Sequence, residues 1–387
     1  MYGDFILDFE DKRIVGSKPK RIISSDNTAF HELPQVITEP AYGFISYDCC
    51  RLIEQLPDRV KNDLGTPDFL FIVPEKISFT EPRCLASGSS GQKNPGNRDV
   101  QSRGVPGSNL SKHEFEKLVR KAKEYIAAGD IYQVNLSQRL EVGFDGDALK
   151  LYERLTRINP SPFASYFDLG DLKIVSCSPE RLIKLENGLA QTRPIAGTRP
   201  IWAKEQDLIL NEKERAEHIM LVDLERNDLG RVCEYNSVEV NEKMVIERYS
   251  HVMHIVSNVR GRLSKDKNWF DLLCAMFPGG TITGCPKVRS MEIIEELEPV
   301  KRGLYTGSIG YIDPINQIMD MNIVIRTIVL KKTKAYIQVG AGIVADSIPE
   351  KEYQETLHKA QAMLEALTYN KYILRPYQFF HRSTWSE

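Results

Sequence analysis

No stretch of the 387-residue chain approaches the ~18–20 consecutive apolar residues that a helical membrane span needs. The first residues, Met1-Tyr2-Gly3-Asp4, lack the basic flank and apolar run of a secretory leader. Charge of one sign is also missing. Lys and Arg number 51 against 53 Asp and Glu, a net charge of −2, so no global field draws the chain to nucleic acid or to an anionic membrane. The seven cysteines, at 49, 50, 84, 177, 233, 274 and 285, form neither a C-x-x-C pair nor a Cys/His group at zinc spacing, which fits a reducing compartment. Two Asn-Leu-Ser triplets, at 109 and 135, have no meaning without a secretory route. The expected location is the cytoplasm. There is no G-x-S-x-G elbow, so a serine hydrolase of that type is excluded.

The composition itself, 42% hydrophobic, 27% charged and 9% aromatic, is that of a globular chain and excludes collagenous, coiled-coil and largely disordered classes. Residues 1–84 mix short β-like runs such as Phe69-Leu70-Phe71-Ile72-Val73 with a helix expected near Cys50 to Leu56. Residues 85–110 are rich in Gly, Ser, Asn and Pro and read as a surface linker. Ser111-Lys112-His113-Glu114 is a capping box that opens a helix to about Ala128, and Gly129 stops it. Over 111–370 the pattern predicts a strand at Ile131 to Leu136, a helix near 147–157 and strands through 164–187. A long helix at about 205–226, strands over 235–262, a helix after Gly280, strands over 304–344 and a final helix from Pro349 to Thr368 follow. Residues 371–387 are left as a tail. Strands follow one another more than they alternate with helices, so the expected class is α+β with largely antiparallel sheets.

Three groups of residues can carry chemistry. Glu214 and Glu217 are spaced i, i+3 on the helix near 205–226, and Glu352 and Glu355 repeat that spacing on the last helix, so each helix presents two carboxylates on one face. Such pairs are ordinary solvated faces unless they meet, in which case their oxygens suit Mg²⁺. Phe277-Pro278-Gly279-Gly280-Thr281-Ile282-Thr283-Gly284-Cys285-Pro286-Lys287 is a Gly-rich turn before a helix, an arrangement whose amides and hydroxyls cradle anions, although the spacing of its glycines and of Lys287 is not that of a Walker loop. Ser178-Pro179-Glu180 puts an acid at the end of a strand, where a partly buried carboxyl can keep its proton as a general acid or can merely cap a helix. His254 alternates with apolar neighbours in a strand, a setting more common for a core histidine than for a catalyst.

Taken in order, GDIYQVNLSQR (129–139), SPERL (178–182), RPIAGTR (193–199), ERAEHIMLVDLERNDLGR (214–231), YSHVMHIVS (249–257), the Gly-rich loop at 277–287 and GAGIVADSIPEKEYQET (340–356) resemble the chorismate-utilising enzymes. This family includes component I of anthranilate synthase and of aminodeoxychorismate synthase, with isochorismate and salicylate synthases as more distant members. The resemblance is strong over about 111–370 and looser over 40–80. It implies Mg²⁺ held by Glu217 and Glu355, with Glu214 and Glu352 behind them. It implies that Tyr305, Arg326 and backbone amides near Gly340 and Gly342 hold the enolpyruvyl carboxylate, that Gly280 and Thr281 line the ring, and that Lys359 lies near the metal carboxylates. Glu180 matches the general acid that helps the C4 hydroxyl leave. Gln133 stands where relatives that add water carry a Lys, so the resemblance implies an ammonia user.

No Gly-x-Cys-x-Gly elbow for glutamine hydrolysis is present, and the resemblance therefore implies a separate glutamine amidotransferase subunit that supplies ammonia. Many aminodeoxychorismate synthases carry a nucleophilic Lys in Pro-Ile-Lys-Gly-Thr, whereas Ala196 occupies that position here, as is usual in anthranilate synthases. QVNLS, NPSPFASY, FPGGTITG and YTGSIGY are closer to the aminodeoxychorismate branch, while GAG and AEHIML are closer to the other. A Leu-Leu-Glu-Ser tryptophan-binding motif does not precede the family match. The expectation is aminodeoxychorismate synthase component I acting on chorismate, with anthranilate synthase component I, using His254 in proton removal, as the alternative.

Overall fold

The computed structural model describes residues 3–81, 107–203, 205–248 and 252–368. Most of the linker expected at 85–110, the tail expected at 371–387 and part of the YSHVMHIVS motif lie outside the described residues. The strands are β1 (Asp4–Asp8), β2 (Arg13–Ser24), β3 (Ala41–Ile45), β4 (Phe69–Thr80), β5 (Gln133–Gly143), β6 (Phe163–Leu169), β7 (Leu172–Ser178), β8 (Arg181–Glu186) and β9 (Leu189–Thr192). They continue with β10 (Ile195–Pro200), β11 (Glu239–Arg248), β12 (Val252–Arg262), β13 (Gly284–Cys285), β14 (Ser308–Asp313), β15 (Ile318–Asn322), β16 (Thr327–Lys331) and β17 (Lys334–Ile343).

Every pairing between these strands is antiparallel, and the pairings link them into one ladder. From one end it runs β13, β5, β17, β16, β7, β6, β1, β2, β4, β3, β14, β15, β8 and then β9 and β10, which both pair with β12; β11 closes the far side. Strands from the first 81 residues are hydrogen-bonded directly to later ones, β1 to β6 and β3 to β14. Residues 107–109 already bond to the edge of β5: the Glu141 amide donates to the Gly107 carbonyl at 2.9 Å and the Asn109 amide to the Arg139 carbonyl at 2.9 Å. The ladder curls so that Phe5 of β1 stacks on Tyr42 of β3 at 5.0 Å and on Phe167 of β6 at 5.6 Å, an aromatic core inside the curl.

The helices are α1 (Leu33–Val36), α2 (Cys50–Ile53), α3 (Lys112–Ala127), α4 (Ala148–Ile158), α5 (Glu205–Ile209), α6 (Glu212–Gly230), α7 (Trp269–Met276), α8 (Lys287–Leu297) and α9 (Pro349–Thr368). The expected α+β class is observed. The Ser111 hydroxyl accepts the Glu114 amide and the Glu114 carboxylate accepts the Ser111 amide, which fixes the start of α3. α9 buries Tyr353, Thr356, Leu357, Ala360 and Met363, a helical stripe, and packs with α4 on β5, β7, β16 and β17. The helix expected near 205–226 is two helices rather than one. The Asn211 side chain accepts the Glu214 amide at 3.0 Å and caps α6, so the chain breaks between α5 and α6. The expected helix at Cys50 to Leu56 is a single turn, α2, stopped by the extended backbone of Glu54.

Candidate active site

The site begins on the β5 and β17 pair. Opposed residues of an antiparallel pair share a face, and the register sets Gly342 against Asn135 and Gly340 against Ser137, so Gln133, Asn135, Gly340 and Gly342 line one surface. Glycine is required at 340: a Cβ there would lie 2.4 Å from Asn135 Oδ1 and 2.7 Å from the Tyr305 hydroxyl. At Gly342 a Cβ would lie 2.6 Å from Gln133 Nε2. Behind this surface Arg302 and Glu298 form a buried ion pair at 2.7 Å. Arg302 also donates to the Asn135 carbonyl at 2.6 Å and to the Ile282 carbonyl at 3.1 Å, and Glu298 accepts the Ser137 amide at 2.8 Å. A buried pair with all its partners in place holds β5 against the Gly-rich loop and so fixes where Gln133 and Thr281 stand.

Glu180 lies between β7 and β8 and does not cap a helix. Its backbone is pinned by the Ile323 amide, 3.0 Å from the Glu180 carbonyl, while Arg181 next to it is paired with Asp320 at 3.0 Å. The residue is 7% exposed, and burial pushes its carboxyl up to about 7. The Thr281 hydroxyl and the Lys359 ammonium pull the other way, although the hydroxyl makes no formed hydrogen bond to it. Lys359 donates to the Gly340 carbonyl at 3.0 Å and pairs with Glu355 at 2.7 Å, which joins the acid to the β17 surface. Arg326 donates to the Lys359 carbonyl at 2.8 Å and feels the charge of Glu355 and the Tyr305 hydroxyl, and burial pulls its guanidinium below the ordinary value. Glu180, Thr281, Gly280, Gln133, Gly340, Gly342, Tyr305, Arg326, Lys359 and Glu355 thus form one connected neighbourhood.

Within it, Gln133 Oε1, Asn135 Oδ1, Glu180 Oε1, Thr281 Oγ1 and Glu225 Oε2 are buried and have no hydrogen-bond partner among the described residues. Buried polar atoms are paired in the great majority of cases, so five orphans in one place are the mark of a surface completed by a ligand. Asn135 and Glu225 were not anticipated from sequence. Neither was His218, fully buried on α6, whose Nε2 lies 2.6 Å from the Ser257 hydroxyl and whose ring burial pulls down to about 4. A signal existed for Glu225, which falls 11 residues after Glu214, close to three helical turns and so on the same face.

His254 and Ala196 sit on the adjoining β12 and β10. His254 Nδ1 lies 3.0 Å from the Gly197 carbonyl, which must accept, so Nδ1 carries the proton and Nε2 is the basic nitrogen of the neutral ring. Burial lowers this histidine below its ordinary value and Arg326 adds to the shift, while the Gly197 carbonyl and Glu247 oppose it. Ala196 faces Ile255 in register and offers no reactive group. A Cβ on Gly197 would lie 2.7 Å from Glu214 Oε2, so Glu214 of α6 reaches the site beside Gly197, and Glu355 of α9 faces Arg326. Among the described residues no three His, Cys, Asp or Glu gather into a ready metal cage. The donors are all carboxylate oxygens, a set that fits Mg²⁺ bound through one or two of them with ligand and water oxygens making up the rest.

A family model described as chorismate binding enzyme matches residues 6–365. The chain belongs to this family. It is 48% identical over 358 residues to an anthranilate synthase component I-like protein of Synechocystis, covering 84% of this chain and 72% of that one. It is 45% identical over 371 residues to aminodeoxychorismate synthase component 1 of Bacillus subtilis, covering 87% and 78%. The crystal structure of anthranilate synthase component I from Streptococcus pneumoniae superposes with a TM-score of 0.78 at 34% identity over 91% of this chain and 92% of that one. The menaquinone-specific isochorismate synthase of Escherichia coli, at 20% identity and a TM-score of 0.73 over 95% and 89%, shares the fold. Relatives in this chorismate-binding family therefore carry both amination names. Among the described residues no helix is long and apolar enough to cross a membrane.

Proposed function

We propose that this chorismate-utilising enzyme aminates its substrate with ammonia to 4-amino-4-deoxychorismate, the activity named for the Bacillus subtilis relative. The observation that carries the reading is the group of unpartnered buried atoms around Glu180, with a glutamine, Gln133, rather than a basic side chain on the β5 surface. Arg326 and Tyr305 would hold one substrate carboxylate, the guanidinium by charge and the phenol by its O–H, in a site dry enough to strengthen both. Glu217 and Glu355 would hold Mg²⁺, with Glu214 and Glu352 behind them; when bound, the ion supplies the positive charge that anchors the ring carboxylate and polarises the ring. Glu180, kept neutral by burial, gives its proton to the leaving C4 hydroxyl, which departs as water while the ammonia lone pair forms the new C–N bond. The resulting carboxylate then takes a proton from the added ammonium. Ala196 rules out an enzyme adduct at its position, so ammonia adds without one there. The ammonia would come from a separate glutamine amidotransferase subunit docked on this chain, as the name component 1 of the relatives suggests.

One observation favours anthranilate formation as a second reading. His254, neutral and with Nε2 basic, stands next to Arg326, where it could remove the ring proton when pyruvate leaves. Product analysis separates the two. The purified chain is incubated with chorismate, Mg²⁺ and ammonium salt, with and without aminodeoxychorismate lyase. 4-Aminobenzoate formed only when lyase is added supports the first reading; fluorescent anthranilate formed without lyase overturns it in favour of the second.

A further inference from the structure

Lys287 closes the Gly-rich turn and has no part in the scheme above. It is the first residue of α8, where the free amides of the helix end disfavour a cation. Asp228 lies in the last turn of α6, where free carbonyls disfavour an anion in the same way. Each charge is thus at the wrong end of its helix. Both are also nearly dry, with side chains 9% and 4% exposed, and such burial costs free energy unless the two charges meet. They do meet, as an ion pair between the Lys287 ammonium and Asp228 Oδ2. The ammonium also donates to the Met276 carbonyl at 3.2 Å. Met276 is the last residue of α7, so this carbonyl has no partner within its own helix.

Met276 and Lys287 flank the turn that carries Gly280 and Thr281, so one side chain draws the two ends of the turn together and fastens them to α6. The turn also sits directly on that helix, because a Cβ on Gly280 would lie 2.2 Å from Leu224 Cδ2. Its other side is held separately: the Asn135 amide donates to the Thr283 carbonyl at 2.9 Å, and Arg302 to the Ile282 carbonyl. Within the turn the Thr283 hydroxyl donates to the Gly279 carbonyl at 2.8 Å, whereas the buried Thr281 hydroxyl has no partner among the described residues. We infer that Lys287 and Asp228 are positioning residues for the substrate: a clasp that holds Gly280 and Thr281 in place against the chorismate ring. Neither touches the ring. Without the clasp the turn keeps its bonds to β5, but the side that rests on α6 can drift, and a hydroxyl that drifts loses its bond to a ligand.

This inference rests on the placing of chorismate against Gly280 and Thr281, and its test is read without ammonia, so it does not require turnover. Calorimetry gives the Kd of the full chain for chorismate in the presence of Mg²⁺, and thermal unfolding is followed alongside. The double variant Asp228→Asn with Lys287→Met leaves no buried charge unpaired, so it should unfold within a few degrees of the wild type. It should nevertheless bind chorismate about tenfold more weakly, and the amides of the turn should exchange hydrogen faster while those of β5 do not change. Wild-type affinity in the folded double variant overturns the clasp. Weaker binding with exchange raised throughout the chain assigns the pair a merely structural role. If the double variant does not fold, Lys287→Gln takes its place: its side chain is one bond shorter and reaches Asp228 or the Met276 carbonyl but not both, and wild-type affinity in it overturns the clasp equally. With ammonium added, the loss should fall on KM, and a loss in kcat alone overturns the positioning role. Failure of the wild type to aminate chorismate contradicts the proposed function and leaves the binding comparison to decide the clasp.

Discussion

Glu180 and Glu355 are the same residue type a few side chains apart, and their surroundings give them opposite uses. Glu180 is held in a strand junction, shut from water, with one oxygen unpartnered. Glu355 sits on the rim of α9 with its side chain 49% exposed and an ion pair to Lys359 at 2.7 Å. The closed position raises the proton affinity of the first, and the open position leaves the second available as an anionic oxygen donor. Lys359 spans the two, touching the rim carboxylate and, by its charge, partly offsetting the burial that keeps the proton on Glu180. One neighbourhood therefore holds a buried carboxyl of raised proton affinity and an exposed one paired with Lys359.

The largest effect is expected from removing the proton at the closed end. Glu180→Gln keeps shape and hydrogen bonding but should lower kcat by about 10²–10⁴-fold, measured by product formation from chorismate and ammonium; a tenfold loss or less would mean that the closed carboxyl is not the acid. The same substitution should sharpen the comparison in stability. The unfolded carboxyl ionises near 4.5 and the folded one at about 7, so between those values the native state binds more protons and stability falls as pH rises, then levels off above 7. From pH 5 to 8 the wild type should therefore lose up to about 3 kcal/mol more than Glu180→Gln in denaturant unfolding.

At the open end the expected effects are smaller and concern metal rather than protons. Glu352→Gln, one turn before Glu355, should raise the Mg²⁺ concentration for half-maximal activity by about 10–100-fold while leaving the alkaline limb of the rate in place. A shift of that limb instead would break the division between the two carboxylates. Smallest is Gly340→Ala on the surface between them. Its methyl would meet Asn135 and the Tyr305 hydroxyl, and it should raise KM for chorismate by about tenfold with little change in kcat.

Much of the frame was legible in the chain. The capping box at Ser111 and Glu114, the stop at Gly129 and the stripe of α9 are local signals, set by hydrogen bonds and periodicities within a few residues. The break between α5 and α6 was legible too, in Asn211, but the acidic periodicity around it masked the cap. Gln133, Glu180 and Thr281 fall inside motifs, whereas Asn135 carries no such signal, because a polar residue in a strand has no meaning until its neighbours are known. Glu225 shares a helix face with Glu214 by spacing, but among the many acids of α6 that spacing alone does not mark it as the one that faces inward.

The sequence by itself determined the family, the elements and the residue types available to the site, because motifs and amphipathic periods are properties of short segments. Only the tertiary structure decided which carboxyls are dry and which are wet. That follows from the curl of the ladder and from Arg302, which ties the Gly-rich loop to β5 across 167 residues of chain, as is usual when long-range burial sets local dielectric. Proton affinity depends on that burial, and burial is not a property of any one segment.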